Sequence, residues 1–377
     1  MPVDPAGQPV GLWERTKDYL ASVHGAACPQ YYKEHHKDDV TELYDSKGID
    51  PEVHEHFRGG VRHGRTAFTA VLHGARVWEL NGAAIAADGK LLADVSWDYR
   101  HGIGRVLGWD HNVFHEWIPY PLTRVEGTAA LLTHVWSGNY FHWMFDVLPR
   151  IDLLRSSGVP IDRYIIQRNE QQIQEDTLNL LGIPKEQRIE IGHDFHAQVD
   201  TLVVPSFVKS DIEHPSEYPR WAADFLRYEF LYTRDVQPSP EFERIYVSRA
   251  NAWQRRLLNE EQIQGMLWER GFRTVRLEEL PFEEQVRIFA SAKVVAAPHG
   301  AGLTNLVFCT PGTKVIEMLP PNYVSNYFWH LSNQVCLDHY YLIGDTFAKP
   351  QEDWWNGSAD FAVDPEKFKR LLERAGV

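Results

Sequence analysis

His142 and Asp146 stand four residues apart in the run Tyr140-Phe141-His142-Trp143-Met144-Phe145-Asp146, so a helix there carries both on one face. A carboxylate beside an imidazole fixes the ring's tautomer and raises its basicity, which is how a general base is built. Arg150 lies one turn further along, although Pro149 bends or ends the helix just before it. An aromatic core helix whose polar residues only cap and pair would give the same pattern. The second chemical cluster is Val294-Val295-Ala296-Ala297-Pro298-His299-Gly300-Ala301-Gly302-Leu303-Thr304-Asn305. It reads as a buried strand, a glycine loop and the first turn of a helix. Gly300 and Gly302 permit dihedrals and close backbone approach that a Cβ would obstruct. The free N–H groups of such a junction, with His299 at its apex, converge on a point where an anion settles. Glycine junctions of this kind also serve packing alone.

Around this loop the sequence supplies further groups. Lys314-Val315-Ile316-Glu317-Met318 is a second apolar strand, and Glu317 at its carboxyl edge is placed to accept the hydroxyls of a ribose. Arg249 directly follows the strand-like Tyr246-Val247-Ser248, and Arg255 lies in the loop after it. A guanidinium is a planar fork that holds phosphate oxygens two at a time, so both arginines are expected at a phosphate. Arg256 is less well placed, and Arg270, Arg273 and Arg276 read as solvated surface.

These groups need a scaffold, and the pattern of elements supplies one. From residue 68 onward strand-like runs and the Asn81-Gly82 turn signal give a β-rich start. Strands at 164–166, 188–191 and 201–204 then alternate with helices at 170–181 and 215–233. After the proline-rich Gln237-Pro238-Ser239-Pro240, which reads as a linker, the rhythm restarts. Strands at 244–248, 272–276, 293–297 and 315–318 alternate with helices at 259–270 and 281–290, and a last helix is expected at 364–374. Such alternation argues for parallel sheets covered by helices. The expected domains are an irregular or helical extension over 1–60, an α/β domain with hairpins over 61–237, and a Rossmann-like domain over 238–377 whose last helix returns to the preceding domain.

Composition narrows the function classes. A chain of 377 residues is long enough for two domains. Its net charge of −14 argues against nucleic acid as a partner. No apolar run is long enough to span a membrane. Three cysteines, widely spaced, disfavour a disulfide framework or a cysteine zinc site. Residues 1–25 show no signal-like apolar run, so a cytoplasmic protein is expected. No D-x-D occurs, and His35-His36 and His54-Glu55-His56 lack metal-site spacing, so no metal and no cofactor are expected. Trp97, Trp109, Trp117 and Trp136 are available to stack on sugar rings, or to fill a core.

The two blocks Asn139-Tyr140-Phe141-His142-Trp143…Asp146…Leu148-Pro149-Arg150 and Pro298–Asn305 resemble glycosyltransferase family 61, also called the DUF563 group. The Tyr246-Val247-Ser248-Arg249 run, Arg255 with Asn259-Glu260, Gly271-Phe272, Glu284-Gln285 and Pro311-Gly312 with Val315-Ile316-Glu317 recur in the family's order. The resemblance covers roughly residues 125–325. It implies an α/β fold of the GT-B kind, two Rossmann-like domains facing across a cleft, here with a β-rich N-terminal segment. It implies metal-independent, inverting transfer from a nucleotide sugar, usually UDP-linked, to a glycan or surface-polysaccharide acceptor. A bacterial protein at the inner face of the membrane, with homo-oligomers allowed, fits that setting. Carried onto this chain, His142 or Asp146 is the base. Arg249, Arg255, His299, Gly300, Ala301, Gly302, Asn305 and Glu317 bind the nucleotide sugar, and Asn139, Trp143 and Arg150 line the acceptor side. A non-catalytic glycan-binding or assembly factor on the same fold is the alternative.

Overall fold

The apolar run Val294–Pro298 is buried at every residue, as befits a central strand covered on both faces. In the computed structural model, which describes residues 7–37, 39–100, 104–116, 121–168, 171–209, 217–345 and 359–377, it lies in the middle of a five-stranded sheet. All pairings are parallel, in the order Arg273–Val275, Arg244–Val247, Val294–Pro298, Lys314–Leu319, Asp338–Ile343. Numbered along the chain this is 2-1-3-4-5, so the winding reverses between the strand Arg244–Val247 and the strand Val294–Pro298. Ligands of open α/β sheets sit at the carboxyl ends of the two strands that flank such a reversal.

The helices that cover this sheet follow from their sequences. Phe282–Ser291 buries Phe282, Gln285, Val286 and Phe289, the i, i+3, i+4, i+7 stripe of an amphipathic helix, and Ile288 beside it. Pro365–Arg374 has Pro365 in its first turn, and the Asp364 carboxylate accepts from the amides of Glu366 and Lys367. Such a cap contributes about 1 kcal/mol. Its Phe368, Leu371 and Leu372 pack with Ile263, Leu267 and Tyr340, so this last helix completes the core of the second unit.

The chain forms two compact units, Met1–Asp38 with Arg65–Ser210 and Asp39–Gly64 with Asp211–Val377. The division thus falls away from the proline-rich 237–240 segment, and tertiary contacts explain why. Arg227, in the helix Arg220–Arg227, donates to the carbonyls of Val307 and Cys309, and Phe230 meets Phe282 and Phe308 edge-on. Residues 39–64 join the same unit. Lys47 pairs with the edge strand through the amide of Tyr341 and the carbonyl of His339, and Phe57 is buried with Leu43, Leu319, Trp329 and Tyr341. An otherwise open sheet edge is covered in this way.

The first unit is built on a ten-stranded mixed sheet. Thr123–Leu131 runs parallel to Arg163–Gln167 and to His196–Pro205, while Ala67–His73 and Arg76–Trp78 pair antiparallel with His196–Pro205. The Asn81-Gly82 signal does mark a hairpin, with Trp78 opposite Ala83. The expected helix after Gly138 is interrupted. An α turn at Tyr140–His142 gives way to a π-helical stretch at Trp143–Val147, and the α-helix resumes only at Arg150–Ser157. Widened turns of this type are frequent at functional sites. Trp117 falls outside the described residues.

Candidate active site

In the second unit, the winding reversal brings Arg249 and His299 together, because each follows one of the two strands that flank it. Gly300 lies against the Arg249 guanidinium: a Cβ at that position would come 1.8 Å from Nη1 and 2.5 Å from Cζ. Its φ of 173° is extended backbone, so close approach, not an unusual dihedral, makes glycine necessary there. Gly302 is explained by Leu277, whose Cδ1 would stand 2.9 Å from an added Cβ. The following helix, Ala301–Phe308, is 3-10 and starts at the loop itself. Asn305 within it is fully buried and donates to Gln285 Oε1 at 3.0 Å, which ties this helix to the helix Phe282–Ser291.

Arg249 donates through Nη2 to the carbonyl of Gln254 at 3.0 Å, while its buried Nε has no hydrogen-bond partner among the described residues. Burial first, then the neighbouring Arg255, lower its pKa to about 10. Burial also lowers the pKa of Arg255, whose guanidinium lies 4.7 Å over the Tyr323 ring. His299 is packed between Tyr323 and Phe328 at ring distances of 5.4 and 5.1 Å. Two guanidinium groups and an imidazole thus crowd one strand edge, at a mutual electrostatic cost that an anion would relieve. Arg256 belongs elsewhere, held by Asp360.

Glu317 departs from its expected role. It is 0% exposed, and each oxygen is engaged by an imidazole, Oε1 by His299 Nδ1 at 2.6 Å and Oε2 by His339 Nε2 at 3.0 Å. Burial opposes its charge, but these two hydrogen bonds outweigh it and hold the carboxyl below its usual range. An ionised carboxylate only accepts, so Nδ1 of His299 carries the proton and Nε2 is left open. Glu317 therefore orients His299 and presents no exposed oxygen to a ribose.

In the first unit, the His142 Nδ1–H donates to Asp146 Oδ2 at 2.7 Å across one turn. Asp146 is 2% exposed, and His134 Nε2 stands 3.8 Å from the same oxygen. Burial works against the Asp146 charge, yet the two imidazoles and Lys209 hold its carboxyl well below the usual range. Burial pushes His134 down to about 3, with Asp146 only partly opposing, so His134 is neutral. Its Nδ1 accepts the amide N–H of Trp136 at 3.3 Å, which places its one proton on Nε2, facing Asp146. His134, His142 and Asp146 are close enough to suggest a metal triad, with ligand atoms within 4.8 Å of one another. In the described geometry the protonated Nε2 of His134 faces the carboxylate at 3.8 Å, beyond hydrogen-bond range.

An aromatic wall surrounds this pair. Trp136 lies 4.9 Å from the His142 ring and is itself 36% exposed, and Trp97 meets both Trp136 and His134 edge-on. Asn139 caps the first turn by accepting the Phe141 amide. Trp143 and Arg150 do not line an open face. Trp143 is 1% exposed and donates Nε1–H to Thr177 Oγ1, and Arg150 is a buried clamp. The Arg150 guanidinium donates to the carbonyls of Thr133, Leu131 and Pro205 at 2.8–3.0 Å, and burial lowers its pKa to about 9. It thereby fixes the strand ends from which His134 emerges.

Sequence reasoning does not single out His134, His339, Ser46 or Tyr323. His134 stands three residues past the end of the parallel strand Thr123–Leu131, a position where ligand-facing groups collect. His339 pairs in register with Val315, two residues before Glu317, and so faces the same side of the sheet.

Comparison with known proteins adds an independent result. Residues 140–316 match the family model described as Glycosyltransferase 61. A stretch of 58 residues is 41% identical to "Beta-1,2-xylosyltransferase RCN11" of Oryza sativa subsp. japonica, covering 15% of this chain and 11% of that protein. The match to the family model spans just under half of the chain, and His142, Asp146, Arg249, Arg255 and His299 all lie inside it.

Proposed function

We propose that this chain is a glycosyltransferase of the GT-B kind, which moves a sugar from a UDP-linked donor to a hydroxyl of a glycan or surface polysaccharide, with inversion. The observation that carries the reading is the seat at the winding reversal, where Arg249, Arg255 and His299 gather at Gly300, with Glu317 buried behind His299 and Glu260 and Glu278 the carboxylates that act on Arg249. Arginines and backbone amides there neutralise the departing diphosphate without a divalent cation. The first unit carries, within itself, groups suited to taking a proton from an acceptor hydroxyl. Asp146 holds the His142 Nδ1–H, so His142 Nε2 has a lone pair free to take the acceptor's proton as its oxygen attacks the anomeric carbon. In this reading Asp146 is the orienting partner and His142 the base. The C–O bond to the diphosphate breaks as the new one forms, and its electrons leave with the nucleotide.

The test is a calorimetric titration with UDP, ADP and GDP, followed by transfer assays from the sugar nucleotides of whichever binds. UDP binding that Arg249→Ala abolishes is expected. A protein that no nucleoside diphosphate binds would leave the fold as a glycan-binding or assembly factor and end this reading.

A further inference from the structure

Behind His299 the hydrogen bonds continue past Glu317. His339 Nε2 reaches Glu317 Oε2, and His339 Nδ1 stands 2.7 Å from Ser46 Oγ. The four groups come from four segments of the second unit: the loop after Val294–Pro298, the strands Lys314–Leu319 and Asp338–Ile343, and residues 39–64. All are at least 95% buried, so the chain ends in the protein interior at one end and at His299 Nε2 at the other. No hydrogen-bond partner occupies that Nε2 among the described residues. A mere packing role would not need a carboxylate with both oxygens filled by imidazoles.

The charges around His299 explain what this order achieves. Arg249 and Arg255 face it from the loop after Arg244–Val247, Tyr323 from the loop after Lys314–Leu319, and Glu317 from behind. Burial first, then the two arginines, disfavour a second proton on the ring, and Glu317 alone opposes them. The empty seat therefore holds a neutral imidazole whose open nitrogen is a lone pair, which repels a phosphate oxygen. A diphosphate brings negative charge to that nitrogen and reverses the balance, and a ring doubly protonated between phosphate and Glu317 donates to both.

Resting on the diphosphate seat proposed above, we propose that His339 and Ser46 are positioning residues. Through Glu317 they hold His299 with Nε2 outward, so that the seat takes up one proton from solvent as it takes up a diphosphate. The proton lands on His299 Nε2, and it leaves again when the nucleotide does.

UDP is the probe, titrated calorimetrically between pH 7 and 8.5 in buffers of differing ionisation enthalpy. Its terminal phosphate, with a second pKa of about 6, is then almost fully ionised, so the proton taken up belongs to the protein. One-proton linkage requires affinity to rise up to about tenfold for each pH unit lowered. His299→Gln should remove both the uptake and the slope. His339→Gln and Ser46→Ala should reduce the uptake while UDP still binds. Carbon-13 labelled histidine in the unsubstituted protein gives a second readout, in which one imidazole becomes protonated on adding UDP. UDP binding with a flat pH profile and no such resonance overturns the proposal and leaves the seat intact. No UDP binding at any pH overturns the seat itself.

Discussion

Each unit of this molecule holds a carboxylate between two imidazoles, and the two arrangements differ in what stands in front of them. In the first unit Asp146 lies between His142 and His134, with an aromatic wall of Trp97 and Trp136 on the outer side. In the second Glu317 lies between His299 and His339, with Arg249 and Arg255 outside. The inner geometry is shared: the carboxylate fixes the tautomer, and the outer imidazole keeps Nε2 open. In the proposed reaction an aromatic surround leaves that nitrogen to remove a proton from a hydroxyl. A cationic surround keeps it bare until an anion arrives. The motif alone does not assign a role, and the neighbouring charge does.

The comparison breaks most visibly if the two pairs are uncoupled from their tasks. Asp146→Asn keeps the shape but reverses the tautomer preference of His142, so turnover should fall about a thousandfold or more, with UDP affinity unchanged. A rate loss below about tenfold would remove His142 from the base role. The first pair also depends on Arg150, whose three carbonyl contacts hold the strand ends next to His134. Arg150→Met leaves those carbonyls buried and unmet, at about 3 kcal/mol of stability in urea unfolding. In the second unit, Gly300→Ala places a methyl where the Arg249 guanidinium lies. UDP affinity should drop about ten- to a hundredfold, equivalent to one or two charge-assisted hydrogen bonds, while unfolding is little affected. Unchanged UDP affinity in Gly300→Ala would show that Arg249 does not need its present position.

What the sequence reveals of this is what lies close along the chain. His142 with Asp146 is legible because one helical turn joins them, and Arg249 and His299 because each directly follows a strand of the parallel sheet. The second imidazoles are not legible. His339 meets Glu317 only through the register of two neighbouring strands, and Ser46 reaches His339 across 293 positions. Trp143 and Arg150 sit beside His142 in sequence, yet the π-helical stretch and the carbonyl clamp turn them into the core. Glu317 illustrates the converse error, since a carboxylate at a strand edge suggests an open acceptor until His339 is seen to fill it. The division between units is hidden for the same reason, because Arg227 ties residues before the proline-rich segment to carbonyls eighty positions later.

His134 gives the finest test of the likeness between the pairs. Its Nε2 lies 3.8 Å from Asp146, beyond hydrogen-bond range, whereas His339 reaches Glu317 at 3.0 Å. Its contribution is then a steering field and not a full bond, worth about 1 kcal/mol or less. His134→Phe, which keeps the ring against His142 and Trp97 but removes the donor, should lower kcat only about three- to fivefold and leave UDP affinity alone. His134→Gln, which restores an N–H, should recover part of that loss. The same change at the other site, His339→Phe, removes a real hydrogen bond and should weaken UDP binding more than His134→Phe slows turnover. Equal effects at the two positions would mean that the outer charge, and not the inner imidazole, sets both roles. Full activity in His134→Phe would leave the first pair a dyad, with its second imidazole serving only to pack.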